Sequence, residues 1–253
     1  MLKLSVTWAT RSLAHTCVVP KRVVQSNNCG LLRAERATLF RGTPANRKMA
    51  TKSKPVDEQA NEVLAFWFGD YSGPKFELWF KSSKETDELI RRRFGGLVDE
   101  ALDGGLKNWE EDIKLLLAKM IICDQFTRNI YRRTSKAFDN DPAGLRCAKT
   151  ITAQFLAELH PYEVGMLGLP YEHSEIVKDH DAGKQMLASE IERRSDSMSS
   201  TENDLLTQFL KYMDDHKAII EKFGRYPHRN EVLGRTNTRD EAEYLKTADT
   251  YGQ

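Results

Sequence analysis

After Thr51 the apolar residues of this chain recur at intervals of three and four positions and nowhere alternate one by one. A period near 3.6 gathers side chains on one helical face, whereas a strand needs a period of two, so the body is expected to be all-α. The clearest stretch runs over 109–132, where Ile113, Leu116, Leu117, Met120 and Ile121 fall at i, i+3, i+4, i+7 and i+8, the stripe of a core-facing helix. Val56, Ala60, Val63, Leu64 and Trp67 predict a first helix over 55–68, with Gly69 at its end. A turn through Gly73 and Pro74 leads to Leu78, Trp79 and Phe80, expected in the core. The next helix, 83–94, is expected to stop at Gly95–Gly96, and a short segment over 97–102 at Gly104–Gly105. Asp141 before Pro142 opens a helix expected to reach His160. Helices are also predicted over 174–194 and 203–223, with a Ser-rich loop between them. Thr238 and Glu241 form a capping box for a last short helix.

Charge divides the chain. Nine of its 38 bases and one of its 37 acids fall in residues 1–50, leaving 29 bases against 36 acids in the body. Such a body disfavours the broad phosphate-neutralising surface of a general nucleic-acid binder. Residues 1–50 are rich in Arg, Ser and Thr and nearly free of acids, the composition of an organellar transit peptide. Leu2, Leu4, Val6, Trp8 and Leu13 oppose Lys3 and Arg11 on a helix drawn through 1–16. The expected destination is the mitochondrion, with the plastid second; a start at Met49 would instead give a cytosolic chain. The domain itself is expected over 55–248. No apolar run reaches the length of a membrane span. Cys123 and Cys147 sit in helical patterns as small hydrophobes, and no Cys pair has a redox or zinc spacing.

Three polar tracts interrupt the apolar pattern. On the long helix the stripe projects onward to Asp124 and Arg128, with Gln125, Asn129 and Arg132 beside it. Ionised groups are rarely buried unless paired, so this helix either pairs Asp124 with Arg128 at i, i+4 or opens into a polar cavity. His216 lies between Met213 and Ile220 on another apolar face, as a satisfied core residue or a functional one. Arg225, His228, Arg229 and Asn230 follow it past Gly224, either as anion-binding groups or as complements to a helix C-terminus. Glu172 and His173 place a potential base and acid before Ser174, which is expected to cap the helix after it. No HExxH, P-loop, GxSxG or Rossmann fingerprint occurs, no cofactor is implied, and the scattered His and acids lack metal-site spacing.

Phe66-Trp67-Phe68-Gly69, Trp79-Phe80, Asp124-Gln125-Phe126-x-Arg128-Asn129-Ile130-Tyr131, Glu172-His173-Ser174-Glu175 and Arg225-x-Pro227-His228-Arg229-Asn230 together resemble a bacterial family catalogued as domain of unknown function 924. The resemblance covers about residues 56–245. It implies a tetratricopeptide-like array of antiparallel helices in one globular domain, and no reaction, since the family has no established activity. The chain departs from the family pattern at Thr127 in place of Pro, at Tyr171 in place of Leu, and over 176–180. The reading favoured by the residues is a helical domain with a pocket for a small anionic ligand. Asp124, Gln125, Arg128, Asn129, Arg132, Glu172, His173, His216, Arg225, His228, Arg229 and Asn230 are its candidate residues. A hydrolase is the first rival, with His173 or His216 as base and Glu172 or Asp124 orienting it; a peptide-binding scaffold is the second.

Overall fold

Periodicity becomes helix from the first turn of the computed structural model, which describes residues 55–248 and contains no strand among them. The basic leader expected over 1–50 lies outside the described residues. Helix α1 (Val56–Phe68) buries Ala60, Val63, Trp67 and Phe68 and ends at Gly69, as its spacing requires. After α2 (Phe76–Phe80), where Trp79 is buried and Phe80 exposed, α3 spans Lys84–Leu102. That helix does not stop at Gly95–Gly96. Ile90, Phe94, Val98 and Ala101 form one continuous buried stripe across the glycines, and burial of such side chains, about 1.5–3 kcal/mol for a large one, outweighs the roughly 1 kcal/mol that a helical Gly costs against Ala.

The central element was expected as one helix and is several. Leu106 adopts a left-handed conformation before a short 3-10 turn, and Asp112 then caps α4 (Ile113–Ile121) by accepting from the Lys114 and Leu115 amides. A π-turn, Ile122–Phe126, follows, and α5 (Thr127–Ile130) completes it. Both the amide and the hydroxyl of Thr127 donate to the Ile122 carbonyl, which lies five residues back. A π-turn costs hydrogen-bond geometry and is found disproportionately at functional sites. This one carries Asp124 and Gln125.

Helix α6 (Asp141–Gln154) ends six residues short of His160. His160 instead caps α7 (Pro161–Glu172): its Nδ1 accepts from Tyr162 and its amide donates to Glu163. Sequence pattern conceals α7 because it is apolar on every side, holds two glycines and contains Pro170; Val164–Glu172 are all buried. A helix wrapped by neighbours has no polar face to reveal a period. It packs against α6, α8 (Val177–Arg194) and α9 (Ser200–Phe223). Consequently Glu172 and His173 stand at a helix C-terminus, and Ser174 is not the cap of α8: its hydroxyl accepts from the Ile176 amide and donates to Asp179. The capping boxes at Ser199/Glu202 and Thr238/Glu241 start α9 and α10 (Arg239–Tyr244).

Cys123 and Cys147 are buried free thiols. No described helix is long and apolar enough to cross a membrane. Beside the main core, Ile219, Ile220 and Tyr226 form a smaller cluster against Val177, Phe223 and Tyr244.

Two glycines with opposite surroundings test this packing. A Cβ at Gly183 would come within 2.6 Å of the Tyr171 Cβ and 2.5 Å of the Met213 Cε, whereas one at Gly96 meets nothing within 4 Å. Gly183→Ala is expected to lose about 1–3 kcal/mol by overpacking, and Gly96→Ala to gain about 0.5–1 kcal/mol. Urea-unfolding midpoints check both, and equal shifts would refute the close approach of α7 to α8.

Candidate functional site

Asp124 is only 1 % exposed, and a carboxylate there needs partners. Its Oδ1 accepts from Arg128 Nη1 at 3.1 Å and from His173 Nδ1 at 2.8 Å, and its Oδ2 from Gln125 Nε2 at 2.6 Å. Burial works against the ionised form, but His173 and Arg128 overcome it and hold this carboxyl well below the usual range. Of the two alternatives that the spacing left open, the i, i+4 ion pair is present, and it is buried. Gly144 of α6 backs it, since a Cβ at that position would lie 3.3 Å from the Asp124 Cβ.

Arg128 continues the network to Asp141, the first residue of α6, with Nη2 2.9 Å from the carboxylate. Arg229 shares that carboxylate at 3.3 Å from Nη1 and donates from Nη2 to the His173 carbonyl at 3.1 Å. Two buried guanidinium groups thus share one carboxylate, and both lie over the Phe138 ring, at 5.7 and 4.6 Å from its centroid. Burial opposes the Arg128 charge, but Asp141 and Asp124 raise its pKa; burial and the neighbouring Arg128 lower that of Arg229. The Nε of Arg229 has no hydrogen-bond partner.

The other half of the cluster is built around Glu172. His216 Nδ1 lies 3.1 Å from its Oε1 and 2.9 Å from the Tyr212 carbonyl. A carbonyl only accepts, so this nitrogen carries a hydrogen and Oε1 is an acceptor too. Burial, with Asp124 nearby, pushes the Glu172 carboxyl up to about 8. Its proton then sits on Oε2, which has no partner. Tyr226 donates its hydroxyl to the Glu172 carbonyl, and its ring faces His216, His228 and Arg229. Burial, and Arg229 next, press His228 down to about 3; burial, and Arg128 next, press His173 to about 4. The neutral His173 ring donates from Nδ1 to Asp124, leaving Nε2 as a base, the tautomer logic of an acid–base histidine oriented by a carboxylate.

The structure therefore brings together Asp124, Gln125, Arg128, Glu172, His173, His216, His228 and Arg229. It does not bring in the other four. Arg132 and Asn129 both bind Asp87 of α3, at 2.8 Å from Arg132 Nε and Asn129 Nδ2, and tie α5 to that helix. Arg225 grips Glu241 and the Thr236 carbonyl, fastening α10. Asn230 holds Asn237 at 2.7 Å across a turn. Sequence reasoning missed Asp141, read only as a helix start, and Phe138; their spacings from Arg128 and Arg229 carry no periodic signal. Among the described residues no group of three or more His, Cys, Asp or Glu is placed to hold a metal ion.

Stability against pH tests these protonation states. Glu172 has a folded pKa of about 8 against an ordinary 4.5, so folding takes up a proton between those values and stability falls as pH rises through that window. His173 and His228, depressed to about 4 and 3 from 6.5, act in the opposite sense: stability is lost as pH drops below 6.5. Urea midpoints are expected to decline from pH 7.5 to 8.5, where the imidazoles of the unfolded chain have already lost their protons and Glu172 still titrates, and Glu172→Gln to flatten that limb. An unchanged decline in the variant would mean that Glu172 is not the protonated acid.

Comparison with known proteins finds a family and a related solved structure. A solved structure of a protein of unknown function, ATU0120 from Agrobacterium tumefaciens, is similar at a TM-score of 0.62 and 26% identity, covering 77% of this chain and all of that one. No curated protein matches. The family described as bacterial protein of unknown function (DUF924) matches residues 63–249, which takes in every residue of the cluster, and the chain belongs to that family.

Proposed function

We propose that the cluster around Arg128 and Arg229 binds a small anionic compound bearing a carboxylate or phosphate. One observation carries the reading: Arg229 is buried with an unpartnered Nε, beside a second guanidinium, with a single carboxylate shared between them. A buried cation that is short of acceptors gains when an oxyanion arrives, and guanidinium is the group suited to meet one in a bidentate fork. In a thermal-shift titration with acetate, malonate, phosphate and phosphoserine, at least one probe is expected to stabilise the wild type. The gain approaches about 2.7 kcal/mol at a hundred times Kd, and Arg229→Gln removes it. Equal shifts in wild type and variant, or none in either, would sink the proposal.

A second reading, acid–base hydrolysis of such a compound, is favoured by Glu172. Its protonated Oε2 and the free Nε2 of His173 supply a proton donor and a proton acceptor in one buried cluster. With phosphate esters and acyl esters as substrates, Glu172→Gln and His173→Ala are each expected to lower turnover by about 10²–10⁴-fold, the range of general acid–base catalysis. Turnover identical to wild type in both variants excludes this role and leaves binding alone.

A further inference from the structure

The charges around Arg229 balance. Arg128 and Arg229 are two cations, Asp124 and Asp141 two anions, the nearby Glu175 is offset by its partner Arg235, and Glu172 holds its proton at neutral pH. A further anion added to this buried group would stand uncompensated, so room for its charge must come from one already present. The two carboxylates differ in how firmly they are held. Asp124 is 1 % exposed and accepts from three side chains, one each on the π-turn, α5 and the end of α7. The Asp141 side chain is 19 % exposed at the first position of α6; its Oδ2 accepts from Arg128 at 2.9 Å but meets Arg229 only at 3.3 Å, and its Oδ1 has no hydrogen-bond partner. Burial leaves its pKa raised despite two guanidinium neighbours, the mark of a carboxylate whose desolvation is not fully offset.

Resting on the anion-site reading above, we propose that the ligand is a small monocarboxylate, and that it takes the place of the Asp141 carboxylate between Arg128 and Arg229. The side chain of Asp141 turns out toward solvent as the ligand's carboxylate arrives. One singly charged, planar group replaces another of the same charge and shape, so the balance of the cluster is kept. A phosphate dianion in the same position would leave one negative charge in excess. Phe138, half-buried over both guanidiniums, forms the apolar wall against which the rest of the ligand packs. Asp141 is thereby a built-in competitor that occupies the site until a carboxylate displaces it.

The experiment is calorimetric titration of acetate and of inorganic phosphate into the wild type, Asp141→Asn and Asp141→Ser at one pH and one chloride concentration. If the displaced state is a tenth or less of the wild type, removing the competitor tightens acetate binding by about tenfold or more. Both variants are therefore expected to bind acetate more tightly than the wild type, with phosphate gaining less. Acetate binding unchanged or weakened in either folded variant would make Asp141 part of the receptor and overturn the exchange, while anion binding by the wild type would keep the underlying site intact. A larger gain for phosphate than for acetate overturns the ligand class. No binding of either probe by any of the three proteins removes the anion site and this inference together. Either variant alone, if folded, decides the matter.

Discussion

An ionised carboxylate at the centre of a helical core is the constraint around which this structure is arranged. Asp124 cannot be buried without donors, and its donors come from separate parts of the chain: Gln125 and Arg128 on its own segment, His173 from the end of α7. Arg128 in turn needs Asp141 from α6, and Asp141 draws in Arg229 from beyond α9. Removing one partner from such a chain of buried charges leaves the next uncompensated, a cost of about 3–5 kcal/mol in comparable cases. The polar network therefore ties the π-turn, α5, α6, the end of α7 and the segment beyond α9 to one another.

The backbone is shaped to suit it. The π-turn at Ile122–Phe126 interrupts what would otherwise be a regular helix at the residues that carry Asp124 and Gln125. Gly144 lets α6 approach that turn, and α7, apolar on all sides, carries Glu172 and His173 into the interior at its C-terminus. Local cost in hydrogen-bond geometry is accepted where the cluster is assembled, as at functional sites generally.

The electrostatic consequence is a division of protonation states within a single cluster. Asp124 is held ionised, Glu172 is held protonated, and His173 and His228 are held neutral. Groups whose environments push their pKa values apart are the raw material of acid–base chemistry and of ligand capture alike. Phe138, lying over both guanidiniums, strengthens those cations' preference for their place by facing them with a ring.

Much of the fold was legible in the sequence because helical faces repeat. The stripe of Ile113–Ile121, the capping box at Thr238 and the i, i+4 pair of Asp124 and Arg128 are all local patterns, and each is present. Three features were not legible. Gly95–Gly96 read as a stop, but tertiary burial on both sides carried α3 through; α7 was hidden because a helix surrounded by neighbours shows no polar face; and Arg132, Asn129 and Arg225 read as site residues although their partners lie on α3 and α10. Sequence by itself determined which residues are charged within apolar faces. Only the tertiary structure decided which of them meet, because Asp141 stands 13 residues from Arg128 and 88 from Arg229, separations across which no periodic pattern operates and only packing brings charges together.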